Sequence, residues 1–354
     1  ELLNLLENDR EKYLEFYTAF GKQLKYGCVS EYGAHKDACQ DLLLFWSQKQ
    51  QKLISLKEYV DAMAEGQEKI YYMPGENKDR LSKLPQVQAL EKKLSAHLEG
   101  SEIYGLNMNK SARLSEECLE AVKLGLYYGD LSGGSFDISI LPLSSLWNFD
   151  KGSHEPPAAQ SLLEAVQNVD YTRVKISGDT VSLEEGMALD LGGIAKGYIA
   201  DELAQFMRSR GVKSALLDLG GNIYALGSNQ GEPFIIGVAC PDSPQEVAGY
   251  LELRDASAVT SGIYQRYSSW EGRRYHHILS PDTGLPADNS LASATVIAQS
   301  SAHCDALSTI CMLLGEDKAL ELINSLEGAE AVLIRRDGEI IFSQGAEKLF
   351  SRAD

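Results

Sequence analysis

Ala188-Leu-Asp-Leu-Gly-Gly-Ile-Ala-Lys-Gly-Tyr-Ile-Ala-Asp201 is the stretch on which the reading of this 354-residue chain turns. The apolar run Met187 to Leu191 predicts a short strand. Two glycines, a lysine and a third glycine then open a helically spaced segment, Ile194 to Arg210, that stops at Gly211. This order brings bare backbone N–H groups and the positive end of a helix to one point, where Lys196 adds a full charge. A phosphate or pyrophosphate suits such a place. Glycines between strand and helix also serve turns that bind nothing, so both readings stand at this level.

Working outward, residues 214–219, 234–238, 249–253, 257–260 and 292–297 read as strands, and Ala302 to Leu314 and Lys318 to Ser325 as helices. A hairpin around Asp337-Gly338 closes the chain. Upstream, Ser115 to Tyr128 and Leu84 to His97 have helical spacing, and Val181 to Leu183 reads as a strand. Nearer the N-terminus, helices are expected over 9–25, His35 to Gln48 and Ser55 to Met63, the last opening with a capping box in which Ser55 precedes Glu58 by three. Glu68 to Met73 reads as a strand stopped by Pro74-Gly75. The pattern is α+β, a mixed sheet-and-helix domain preceded by a mainly helical segment, without the regular alternation of a doubly wound sheet.

Charge separates the same two parts. The chain carries 33 basic and 51 acidic side chains, a net −18, but residues 1–86 account for only −2 of it and residues 87–354 for −16. That acidity argues against a general nucleic-acid or anionic-membrane binder. The six cysteines, at 28, 39, 118, 240, 304 and 311, form no CxxC pair and read as reduced thiols. No apolar run approaches the ~20 residues that span a bilayer.

Three further groups carry chemistry. Asp305 and Thr309 stand four apart on an expected helix, so carboxylate and hydroxyl project from one face; oxygen donors suit Mg²⁺ or Ca²⁺, and the same pair also makes an ordinary solvated face or cap. In Tyr275-His-His-Ile-Leu-Ser-Pro-Asp-Thr-Gly-Leu-Pro286 a strand runs into a rigid turn, and alternation lets only one of His276 and His277 face a given site. Ser132-Gly-Gly-Ser-Phe-Asp137 and Thr260-Ser-Gly262 supply small polar turns.

The order of these pieces is more specific than any one of them. Ser101-Glu-Ile, Leu106-Asn107, Gly134-Ser-Phe-Asp137, Leu146-Trp-Asn-Phe149, Asp190-Leu-Gly-Gly-Ile-Ala-Lys-Gly197, Leu219-Gly-Gly-Asn222, Thr260-Ser-Gly262-Ile-Tyr264, His277-Ile-Leu-Ser-Pro-Asp-Thr-Gly284 and Asp305-Ala-Leu-Ser-Thr309 together resemble the ApbE family of FAD:protein FMN transferases. The resemblance covers residues 87–354. It implies a Mg²⁺-dependent enzyme that splits FAD, attaches FMN to a threonine or serine hydroxyl of an acceptor flavoprotein and releases AMP. By similarity, Asp305, Thr309 and the Gly193 carbonyl are metal ligands. Ser135, Phe136, Asp137, Lys196 and the main chain at Leu279 contact FAD, as does His97, which stands where relatives have an aromatic residue. His277 is the expected base for the acceptor hydroxyl, with orienting that hydroxyl as its rival role. Some relatives hydrolyse FAD to FMN and AMP, and that outcome stays open.

Residues 1–86 resemble instead the later part of the middle domain of HtpG-type heat-shock chaperones, through Phe16-Tyr-Thr-Ala-Phe-Gly21, Ser55-Leu-Lys-Glu-Tyr-Val60 and Met63-Ala-Glu-Gly-Gln-Glu-Lys-Ile-Tyr-Tyr72. ATPase activity is not implied by this fragment. The first strand usual in the transferase family, opening on Met-Gly-Thr, does not occur, and the strand at 68–73 followed by the helix from Leu84 is expected to take its place. A non-catalytic scaffold is the alternative from a different class. The family usually works outside the cytoplasm, anchored to a membrane; without an export signal the expectation for this chain is cytoplasmic.

Overall fold

The computed structural model describes residues 2–29, 36–47, 52–61, 85–149, 154–243 and 246–353. These cluster into two compact units, Glu1–Pro85 and Gln86–Asp354. The expected strand at 68–73, and its pairing, lie outside the described residues.

In the first unit, helices Leu2–Asn8 and Arg10–Val29 cover a small core of Leu6, Tyr13, Tyr17, Leu42 and Leu44. Each tyrosine hydroxyl donates to a carbonyl, Tyr13 to Leu42 at 2.5 Å and Tyr17 to Leu44 at 2.8 Å, so neither buries a bare polar tip. The helix expected over His35 to Gln48 is corrected. Lys36–Cys39 and Gln40–Leu42 make two short turns, after which Phe45–Ser47 pairs antiparallel with Lys52–Ile54. Five consecutive apolar residues, Leu42 to Trp46, satisfy either period, and pairing with the second strand selects the extended form. The capping box forms as expected: the Ser55 amide donates to Glu58 Oε2 at 2.6 Å and the Glu58 amide to Ser55 Oγ at 3.2 Å.

The second unit is built on a six-stranded antiparallel sheet. Its order is Ile340–Phe342, Glu330–Arg335, Leu291–Ala298, Ala256–Gly262, Asn222–Gly227, Ser214–Asp218. The inner strand Leu291–Ala298 reads as a nearly unbroken apolar and small run because both faces are covered. Val259, Ala294, Val296, Ala331 and Leu333 face helices, chiefly Ser301–Leu314. Their neighbours Ala258, Ile297, Val332 and Ile334 face a second, three-stranded sheet of Phe234–Ala239, Val247–Leu253 and Phe350–Arg352. Helix Ala195–Ser209 packs beside Ser301–Leu314. Among the described residues the Met187 to Leu191 run makes only a single bridge, Ile140 to Ala188, and is extended backbone rather than the expected strand. Among the described residues no helix is long and apolar enough to cross a membrane.

Candidate active site

Two helix starts meet at Gly197. A methyl group there would stand 2.4 Å from the Ser301 carbonyl oxygen and 2.6 Å from Ala302 Cα, both backbone, so only glycine lets the helices cross this closely. The Gly197 amide donates to Asp305 Oδ2 at 2.9 Å. In return Asp201, one turn along the first helix, accepts the amides of Ser301 (2.7 Å) and Ala302 (3.0 Å) and the hydroxyl of Ser300 (2.7 Å). Each helix thus sets a carboxylate on the other's positive end. Behind the crossing the Ser301 hydroxyl donates to the buried Asn222 Oδ1 at 2.6 Å, tying the second helix to the sheet.

This lock fixes Asp305, which is only 4% exposed. Burial pushes its carboxyl pKa up, while the Lys196 cation and the Gly197 amide pull it back. The Gly197 amide is its one hydrogen-bond donor among the described residues, and it leaves Oδ1 bare. Thr309 follows one turn later, its Oγ1 3.3 Å from Ser261 Oγ, which itself lies 2.8 Å from Ser308 Oγ. A methyl on Gly193 would stand 4.0 Å from Thr309 Oγ1 and 2.9 Å from the Phe136 ring, so the Gly193 main chain borders both. The expected trio of Gly193, Asp305 and Thr309 is therefore brought together. Ser261 is the member that sequence reasoning missed: Thr260-Ser-Gly262 reads as a turn, but it closes the strand Ala256–Gly262, where alternation aims Ser261 to the same helix-covered side as Val259. Among the described residues no three His, Cys, Asp or Glu side chains cluster. A half-free buried carboxylate among hydroxyl oxygens nonetheless fits a hard divalent cation, which needs few carboxylates.

Around this cluster the remaining site residues divide. Phe136 is buried against Gly193, its amide held by Ser132 Oγ at 2.9 Å, in the turn after helix Glu116–Leu131. Ser135 is half-buried beside it. Asp137 faces inward: Oδ1 accepts the Ser139 amide (2.7 Å) and hydroxyl (2.6 Å), and Oδ2 accepts the Tyr171 amide (2.9 Å). Its carboxylate clamps this loop. The Leu279 side chain is buried with Leu143, Trp147 and Leu162, leaving its main chain, bridged to Pro286, for any ligand. His97 is exposed, its amide on Ser95 Oγ at 3.2 Å, and among the described residues it makes no hydrogen bond or ring contact with the cluster.

His276 and His277 take opposite sides. The His276 Nε2 sits 3.0 Å from the Ala287 carbonyl, and burial lowers its pKa to about 4. His277 Nδ1 lies 3.2 Å from the Arg266 carbonyl, which assigns the proton to Nδ1 and leaves Nε2 as an acceptor. Its pKa also falls to about 4, first through burial and then through neighbouring cations, Lys196 among them. Lys196, exposed at the helix start, therefore acts on both Asp305 and His277.

A model of the ApbE family matches residues 69–333. The chain belongs to the ApbE family. It is 33% identical over 280 residues to the FAD:protein FMN transferase of Treponema pallidum, a match covering 73% of this chain and 77% of that protein. A Klebsiella pneumoniae protein of the same name is 36% identical over 224 residues, 62% of this chain and 69% of its own. The crystal structure of the ApbE protein from Thermotoga maritima superposes with a TM-score of 0.72 at 28% identity, covering 78% of this chain and 93% of that one. The flavin transferase ApbE from Vibrio cholerae gives 0.69 at 26% identity, with the same two coverages of 78% and 93%. A second model, Hsp90 protein, matches residues 1–97 and overlaps the ApbE match over 69–97.

Proposed function

We propose that this ApbE-family chain moves the FMN half of FAD onto a threonine or serine hydroxyl of an acceptor flavoprotein and releases AMP, with Mg²⁺ held by Asp305, Thr309 and the Gly193 main chain. The chain is a flavin transferase; the relatives that share its sequence carry that name. The reading rests above all on the buried, half-free carboxylate of Asp305 beside the exposed Lys196 cation at a helix start, where a pyrophosphate meets positive charge; the bare amides expected there are taken, those of Ile194 and Ala195 by the Leu191 carbonyl and that of Gly197 by Asp305. When bound, the metal ion neutralises charge on the pyrophosphate and its leaving group.

The chain's own groups do the rest. Lys196, at the positive end of the Ala195–Ser209 helix, holds the phosphates, and Phe136 walls the flavin side. The acceptor oxygen attacks the FMN phosphorus, the bridging P–O bond breaks, and AMP leaves with the bonding electrons. The hydroxyl proton passes to Nε2 of His277, neutral at physiological pH because burial holds its pKa to about 4. An anionic phosphate beside the ring raises that basicity when FAD is in place. We further assign 87–354 to this domain and 1–86 to the chaperone-like helical fragment, an assignment supported by the division of the compact units at Pro85, within the stretch 69–97 that both family matches share.

The test is to incubate the chain with FAD and Mg²⁺, with and without a threonine-bearing acceptor peptide. AMP together with flavin fluorescence on the peptide is the expected result. AMP with free FMN alone identifies a hydrolase. No AMP, with flavin binding indifferent to Asp305→Ala, overturns the reading in favour of a scaffold.

A further inference from the structure

In a chain with 51 acidic side chains against 33 basic ones, arginines readily find carboxylates. Arg113, Arg173, Arg208, Arg335 and Arg336 each have one within 3.5 Å. Arg273 and Arg274 do not, nor among the described residues do Arg210, Arg254 and Arg352; what sets the pair apart is that both stand on one hairpin strand that leads to His277. These exposed neighbours pair with no carboxylate among the described residues and lie instead over tyrosine rings, Arg273 5.3 Å from Tyr275 and Arg274 4.9 Å from Tyr267. They belong to a two-stranded hairpin, Tyr267–Trp270 with Arg273–His276, that among the described residues joins no larger sheet.

Arg273 is connected to the reacting end of the site. Residues 273, 275 and 277 share one face by alternation, and the His277 amide continues the ladder to the Arg266 carbonyl at 3.1 Å. Tyr275 lies 5.6 Å from Trp147, Trp147 stacks on Phe149 at 5.4 Å, and Phe149 meets the His277 ring edge-on at 6.4 Å. An aromatic floor therefore runs from the Arg273 guanidinium to the imidazole. Four residues of strand span roughly 13 Å.

We propose that this face docks the acceptor protein through an acidic side chain placed about four residues, along an extended segment, from the hydroxyl that receives FMN. The inference rests on the flavin-transfer reading. Stacking holds one face of the guanidinium on tyrosine and leaves its N–H fork open to a carboxylate. Because the surrounding net charge repels acidic segments, the arginine gives register and choice of partner more than raw affinity.

The test uses two fluorescein-labelled peptides, each with one central threonine, that differ only in aspartate or asparagine four positions to either side. Anisotropy at low salt with FAD present is expected to show the full chain binding the aspartate peptide about three- to fivefold more tightly. Arg273→Glu and Arg273→Gln abolish that preference, while Arg210→Glu, at an exposed arginine stacked on Phe206, preserves it. Equal binding of both peptides, or a preference that survives both Arg273 variants, overturns the proposal. So does a rise in the KM for FAD with no change for the peptide, which makes the hairpin a FAD contact. In-gel flavin fluorescence of the same peptides separates the two ideas: selective binding by a wild-type chain that labels neither peptide counts against the transfer reading and leaves the docking face standing.

Discussion

At Asp305 a buried carboxylate has one hydrogen-bonding amide and the nearby Lys196 charge, which offset burial only in part, so a bound divalent cation favours its ionised form further. Asp305→Asn keeps an acceptor for the Gly197 amide and removes the charge. Mg²⁺ at about a hundred times its Kd is expected to stabilise the parent chain by about 2.7 kcal/mol and the variant by almost nothing, read as thermal shifts; FMN transfer falls by at least about 100-fold. His276 gives a second residue-scale expectation. Unfolded, it takes a proton near its ordinary pKa of about 6.5; folded, only near 4, so protonation favours unfolding in between. Its share of stability is whole above pH 6.5 and disappears as pH falls through about 4. Unfolding free energies from urea titrations at pH 7 and pH 4.5 are expected to differ by on the order of 2 kcal/mol more in the parent than in His276→Asn. That Asp305 and Thr309 share a helix face and that Lys196 opens a helix is legible from spacing, whereas Gly193 and the choice of His277 over His276 come only through the family resemblance. Ser261 and the inward turn of Asp137 were not legible, since a strand's alternation and a loop's hydrogen bonds depend on partners distant in the sequence.

At the scale of elements, the crossing of Ala195–Ser209 with Ser301–Leu314 makes the site. Gly197→Ala forces a methyl into two backbone groups that cannot swing aside, and a cost of about 3 kcal/mol or more in urea unfolding is expected. Asp201→Ala takes the acceptor from the Ser301 and Ala302 amides while the Ser300 cap on the His303 amide stays, at about 1–2 kcal/mol. Both helices were readable to within a residue or two, because each carries helical spacing and a clear stop, Gly211 or Gly315. The segment from Lys36 to Ser47 was not, as five apolar residues in a row carry no period. The first strand of the arginine hairpin escaped too: Tyr267–Trp270 is short and polar, and only its partner strand fixes its form.

For the whole molecule, the α+β class follows from the succession of strands and helices, while the double covering of the central sheet becomes visible only with the second sheet in place. The net charge of −18 sets an expectation at this scale. Added salt, shortening the screening length from about 30 Å at 0.01 M to about 8 Å at 0.15 M, is expected to raise kcat/KM for FAD at saturating Mg²⁺, since repulsion by the distant field fades before the local contacts do. The mutual capping of the two helices carries one more consequence. Parting them strands four donors at once, three on Asp201 and one on Asp305, so the oxygen cage is assembled when the chain folds. Its ordering entropy is met before any turnover begins, and a variant that loosens the crossing will show its loss in the activation entropy, with the activation enthalpy little changed.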